Sequence, residues 1–65
     1  MRTIREHIAK YNVKTFNVRV NGVLWNTYTP YNAPNSILDI VFITAKFDAR
    51  QPTVMIYEVG QGDIR

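Results

Sequence analysis

An α+β fold, a three-stranded sheet with a helix packed on one face, is what three features of this 65-residue chain predict. Asn21-Gly22 lies between two alternating apolar runs, the strongest short-range mark of a β-hairpin. Ser36–Arg50 (SILDIVFITAKFDAR) carries helical end signals and the largest apolar supply in the chain. Thr53–Val59 reads as a further strand. The resulting order is helix, strand, strand, helix, strand (α-β-β-α-β), in one small domain spanning residues 1–65.

The first element is a short amphipathic helix over Thr3–Tyr11. Thr3 with Glu6 three residues on forms a capping box, and Ile4, Ile8 and Tyr11 recur at helical spacing. Asn12 suits the left-handed position just past the helix. So short a helix is stable only when docked, here through Ile4 and Ile8. His7 is expected to face solvent.

Val13–Val20 and Val23–Tyr28 form the hairpin. A two-residue loop at Asn21-Gly22 pairs Val20 with Val23, Val18 with Trp25 and Phe16 with Thr27, and places these six on the core face. The outer face then pairs Arg19 with Leu24, Asn17 with Asn26 and Thr15 with Tyr28. Thr29–Asn35 (TPYNAPN) is the loop that leads to the main helix.

Within Ser36–Arg50, Ser36 and Asp39 suggest a capped start, Arg50 a favoured cation in the last turn, and Pro52 a stop. Leu38, Val41, Phe42, Ala45 and Ala49 fall on one helical face. The competing reading is a strand, because Ile37–Thr44 is rich in β-branched residues. Length and end signals select the helix. Thr53–Val59 has apolar residues at both parities, as a central strand does, and Gly60–Asp63 reads as a tail.

Size and composition narrow the function. A chain of this length buries only about 60% of its unfolded surface. With no cysteine and one histidine, neither disulfides nor a structural zinc site can reinforce it. No metal and no cofactor are expected. No apolar run approaches the ~20 residues that span a bilayer, and the N-terminus lacks the apolar stretch of a signal peptide. These features predict a soluble cytoplasmic protein with no membrane partner. Eight Lys/Arg against five Asp/Glu give a net charge of +3, and four of the eight cations lie in the first fourteen residues. That bias suits a polyanion or an acidic protein surface.

Catalysis is not expected. His7 has no partner at helical spacing, the only serine is assigned to a cap, and the five carboxylates are scattered. Gly60-x-Gly62 lacks the following helix that a phosphate loop needs. Two binding readings remain. A protein partner would dock on the outer hairpin face and adjoining loop, at Arg19, Leu24, Asn26, Tyr28 and Tyr31. A nucleic acid would use Lys14, Arg19 and Tyr28, with aromatic rings for bases and cations for phosphates. A free edge strand could also pair two copies into a homodimer.

Over residues 13–59, the strand-turn-strand-helix-strand layout with no catalytic set resembles small phage-encoded proteins that bind and disable bacterial enzymes. The resemblance implies a non-enzymatic inhibitor or modulator that covers the surface of a host protein in the host cytoplasm. Nucleic-acid binding through the basic and aromatic hairpin face is the alternative.

Overall fold

The computed structural model describes residues 2–60 and residue 62. Its elements are α1 (Ile4–Tyr11), β1 (Thr15–Val20), β2 (Val23–Tyr28), α2 (Asn35–Leu38), β3 (Thr44–Phe47) and β4 (Val54–Val59). The chain is α+β, as expected. The tail expected at Gly60–Asp63 lies in part outside the described residues.

The local signals in the first half act as their chemistry dictates. Thr3 is extended, and its Oγ1 accepts from the Glu6 N–H at 3.2 Å. Asn12 takes the left-handed conformation at φ 54° and ends α1. Asn21 and Gly22 have φ of 52° and 81°, the two positive values that a type I′ turn requires.

The helix expected over Ser36–Arg50 is replaced by a single helical turn, an extended run and a strand. Pro34, with φ −69° and ψ 158°, is the N-cap of α2, and no side chain caps it, so Ser36 and Asp39 form no capping box. Asp39 ends the turn and binds Arg5 of α1 at 3.0 Å. Beyond it the burial alternates strictly: Ile40 and Phe42 are buried while Val41 and Ile43 are exposed. The β-branched residues thus follow a period of two. What decides between the patterns is that an extended run lets β3 pair with β4, satisfying backbone groups through a ladder that a helix would leave unused.

The sheet therefore has four strands rather than three, in the order β2-β1-β4-β3. β1 and β4 lie parallel at the centre, while β2 and β3 run antiparallel to them at the edges. As its two-sided apolar pattern predicts, β4 is central, with five of its six residues buried. α1 lies beside α2 on one sheet face: the Ile4 N–H donates to the Ile40 carbonyl, and Thr3 bridges to Val41. Phe16, Val18, Met55, Tyr57 and Val59 from the sheet meet Ile4, Ile37, Leu38, Ile40 and Phe42 in one core. The register places Asn17, Arg19, Ile56, Glu58, Thr44 and Lys46 on the opposite face.

The hairpin register departs from the expected one at a single point. Val20–Val23 and Arg19–Leu24 pair as predicted, but Val18 faces Asn26 and Phe16 faces Tyr28. A β-bulge at Trp25 inserts the extra residue and reverses the parity of everything after it. Tyr28 turns inward, its ring 5.8 Å from that of Phe16, and Trp25 leaves the core at 53% exposure. The shift also sets Thr27 opposite Asn17, where Thr27 Oγ1 bonds Asn17 Oδ1 at 2.6 Å.

Phe16→Ala should cost about 3–5 kcal/mol, as for a fully enclosed ring. Trp25→Ala should cost about 1 kcal/mol, as for a half-exposed one. Urea denaturation of the two variants measures both, and equal losses would contradict the bulge.

Candidate binding surface

The hairpin tip is held by charge. Glu58 on β4 lies opposite Arg19 on β1, and its Oε1 is 3.4 Å from Arg19 Nε. Its Oε2 accepts from the Gly22 N–H at 3.3 Å, and an Arg19 terminal nitrogen donates to the Gly22 carbonyl. One ion pair thus ties the turn to the central strand. Arg19, expected to contact a partner, is engaged inside the molecule.

The remaining expected contact residues are dispersed by the bulge. Leu24 stays on the outer face and is exposed. Asn26 pairs with Val18 instead of Asn17, and its Oδ1 accepts from the Thr27 N–H at 2.8 Å. Tyr28 packs in the core layer, so it offers no open ring to a base or a partner. Tyr31 is 95% exposed on a turn closed by reciprocal bonds: Thr29 N–H to Asn32 Oδ1 at 2.7 Å and Asn32 N–H to Thr29 Oγ1 at 3.3 Å. Lys14 is exposed and lines a shallow depression with Tyr31, Pro30 and Ile8. Lys14, Arg19 and Tyr28 do not form the continuous basic and aromatic strip that the nucleic-acid reading expects.

What the structure brings together instead is a rim. Val23, Leu24 and Trp25 are consecutive, apolar and all more than half exposed. They lie on β2, an edge strand with no neighbour on its outer side. The strand VLWNTY contains no charged residue, whereas the other edge, TAKF, has Lys46 at its centre. A lysine on an edge strand opposes pairing with another chain, and β2 lacks that protection.

A second group was not expected. His7 is only 7% exposed, contrary to the solvent-facing position its sequence neighbours suggest. Its Nδ1 lies 2.6 Å from the Tyr57 hydroxyl, and its ring packs among Tyr11, Phe42 and Tyr57. The signal was present in the spacing: Ile4, His7, Ile8 and Tyr11 stand at i, i+3, i+4 and i+7, so His7 belongs to the apolar stripe. Burial, then the charges of Arg2 and Lys10, hold the His7 pKa below 6.5. Burial also pushes the Tyr57 hydroxyl well above its usual value, so it stays protonated. Among the described residues, no three His, Asp or Glu side chains converge where a metal ion could bind. No helix among them is long and apolar enough to cross a membrane.

The lowered His7 pKa links stability to pH. The unfolded chain takes up the His7 proton more readily, so this contribution is whole above pH 6.5 and is lost as the pH falls toward the folded pKa. The melting temperature should therefore drop between about pH 7 and pH 5. His7→Phe with Tyr57→Phe, which removes both polar partners together, should abolish that portion of the drop. An unchanged profile would show that His7 does not titrate as a buried group.

No protein-family model matches the chain, and neither the curated proteins nor the solved structures offer a match to it.

Proposed function

We propose that this chain is a small non-enzymatic binding protein that modulates a protein partner by occupying its surface, with the β2 rim as its docking edge. The observation that carries this reading is the uncharged outer edge of β2, where Val23, Leu24 and Trp25 are exposed together. An edge strand offers backbone donors and acceptors at strand spacing, and an extended segment of a partner can extend the sheet there. Trp25 adds the kind of large, rigid anchor that dominates binding energy in protein interfaces. The bulge supports the same reading, because it spends a core position of β2 on Tyr28 and turns the larger indole outward.

The inhibitor mode implied by small phage-encoded proteins, steric cover of a host enzyme, needs only such an edge and no catalytic group. Two features favour a protein over a nucleic acid. Glu58 neutralises Arg19, and Tyr28 is packed against Phe16, which removes two of the three residues a base-stacking face would use.

Trp25 is the only tryptophan, so its fluorescence reports on the proposed edge directly. Partners recovered by the wild-type chain should be lost by Trp25→Ala, with affinity reduced roughly thirtyfold or more, and the emission should shift to the blue on binding. A partner held equally well by the variant would remove this edge from the interface. Single-stranded DNA and RNA should show no binding at low salt. Tight binding there that weakens steeply as salt rises would favour the nucleic-acid reading with Lys14. Sedimentation separates a further outcome, in which the edge pairs with a second copy.

A further inference from the structure

The face of α1 that borders His7 carries a second site, independent of the β2 rim. Among the described residues, a pocket of about 430 Å³ is lined by Arg2, Glu6, His7, Lys10 and Tyr11. That volume lies within the range of small-ligand sites. The pocket combines two cations, one carboxylate, one phenol and one imidazole. Neither Arg2 nor Lys10 has a carboxylate within ion-pair distance among the described residues, although Lys10 Nζ stands 5.3 Å above the Tyr11 ring centroid.

His7 presents a fixed donor to this space. The Tyr57 hydroxyl is fully buried, and His7 Nδ1 is its partner among the described residues. A hydroxyl that only accepted would bury its own proton unpaired, so Tyr57 donates and Nδ1 accepts. The imidazole proton therefore resides on Nε2. No buried side-chain nitrogen in the described residues lacks a partner. Nε2, which makes no hydrogen bond among the described residues, is thus reached through the pocket that His7 lines.

We propose that this pocket binds a phosphoryl oxyanion that carries a hydroxyl, either hydrogen phosphate or a phosphate ester with a hydroxyl beside the phosphate. The Arg2 guanidinium, the Lys10 ammonium and the His7 Nε2–H donate to the anionic oxygens, and Tyr11 closes one side. Glu6 is the selective element. Its carboxylate repels an anion that has no proton to share and accepts from one that has. Sulfate at neutral pH carries no such proton, whereas hydrogen phosphate does. The room beyond a single phosphate accommodates an ester group over the Tyr11 ring.

The test is an NMR titration of the full chain with inorganic phosphate, sulfate and glycerol phosphate at constant ionic strength, following the His7 ring and the α1 amides. Phosphate should shift the His7 signals saturably, with Kd on the order of 1 mM, and sulfate should bind several-fold more weakly. Arg2→Ala with Lys10→Ala, both at exposed positions, should weaken phosphate roughly tenfold or more. Glu6→Gln should abolish the preference of phosphate over sulfate, and Trp25→Ala should leave the titration unchanged. A tighter fit for glycerol phosphate assigns the site to an ester, and a weaker one to the free ion. The proposal is overturned if His7 shows no saturable shift, if the double variant titrates like the wild type, or if the same shifts spread over every surface cation.

Discussion

A buried hydroxyl must find a partner, and in this protein that requirement joins the two layers. Tyr57 stands in the middle of the central strand with no exposed surface, touching Phe16 on β1 and Phe42 on the extended run. Leaving its hydroxyl unpaired would cost on the order of 1–3 kcal/mol, a large share of what so small a domain can hold. His7 meets the need and in doing so fixes the position of α1 over the sheet. A leucine at that position would pack as well but would strand the hydroxyl. The helix is anchored by one directional bond within an otherwise non-directional core.

The hairpin and α1 were legible because their signals are local. Thr3, Asn12, Asn21 and Gly22 each do something that depends only on residues a few positions away. The main helix was misread because Ile37–Phe47 supports both periods, and the contest is settled by a strand ten residues downstream. β3 exists because β4 offers it a ladder, with Ala45 opposite Tyr57 and Lys46 opposite Ile56. No window of sequence contains that fact. The same holds for Glu58, whose role at the hairpin tip depends on the parallel register of β4 against β1. His7 is different: its place in the apolar stripe was readable, and the expectation failed by treating a polar side chain as an outward one.

The rim and the pocket sit on different elements and answer to different chemistry. The β2 rim is apolar and uncharged, and it offers backbone groups in a line. The α1 pocket is polar and charged, and it offers side-chain donors around a point. Neither shares a residue with the other, so a bound anion need not compete with a docked strand. Their common support is β1 and β4, which hold the hairpin through Glu58 and the helix through Tyr57. Two adjacent residues of the central strand thus face opposite sides of the sheet and secure one surface each.

A single inserted residue decides which aromatic side chain the molecule shows. Without the bulge, Trp25 would lie over Val18, Thr27 would oppose Phe16, and Tyr28 would point to solvent. The outer face would then read Arg19, Leu24, Asn26 and Tyr28, a mixed polar surface suited to many ligands. With the bulge, Tyr28 joins Phe16 in the core and Trp25 stands at the edge beside Leu24. The core gains a ring whose hydroxyl can reach its margin, and the surface gains one whose energy is realised only when another molecule covers it. Exposing the largest apolar side chain in the sequence costs stability in a chain with little to spare. That cost is what distinguishes a displayed tryptophan from a misplaced one, because the unbulged register was open to the same hairpin with the same turn.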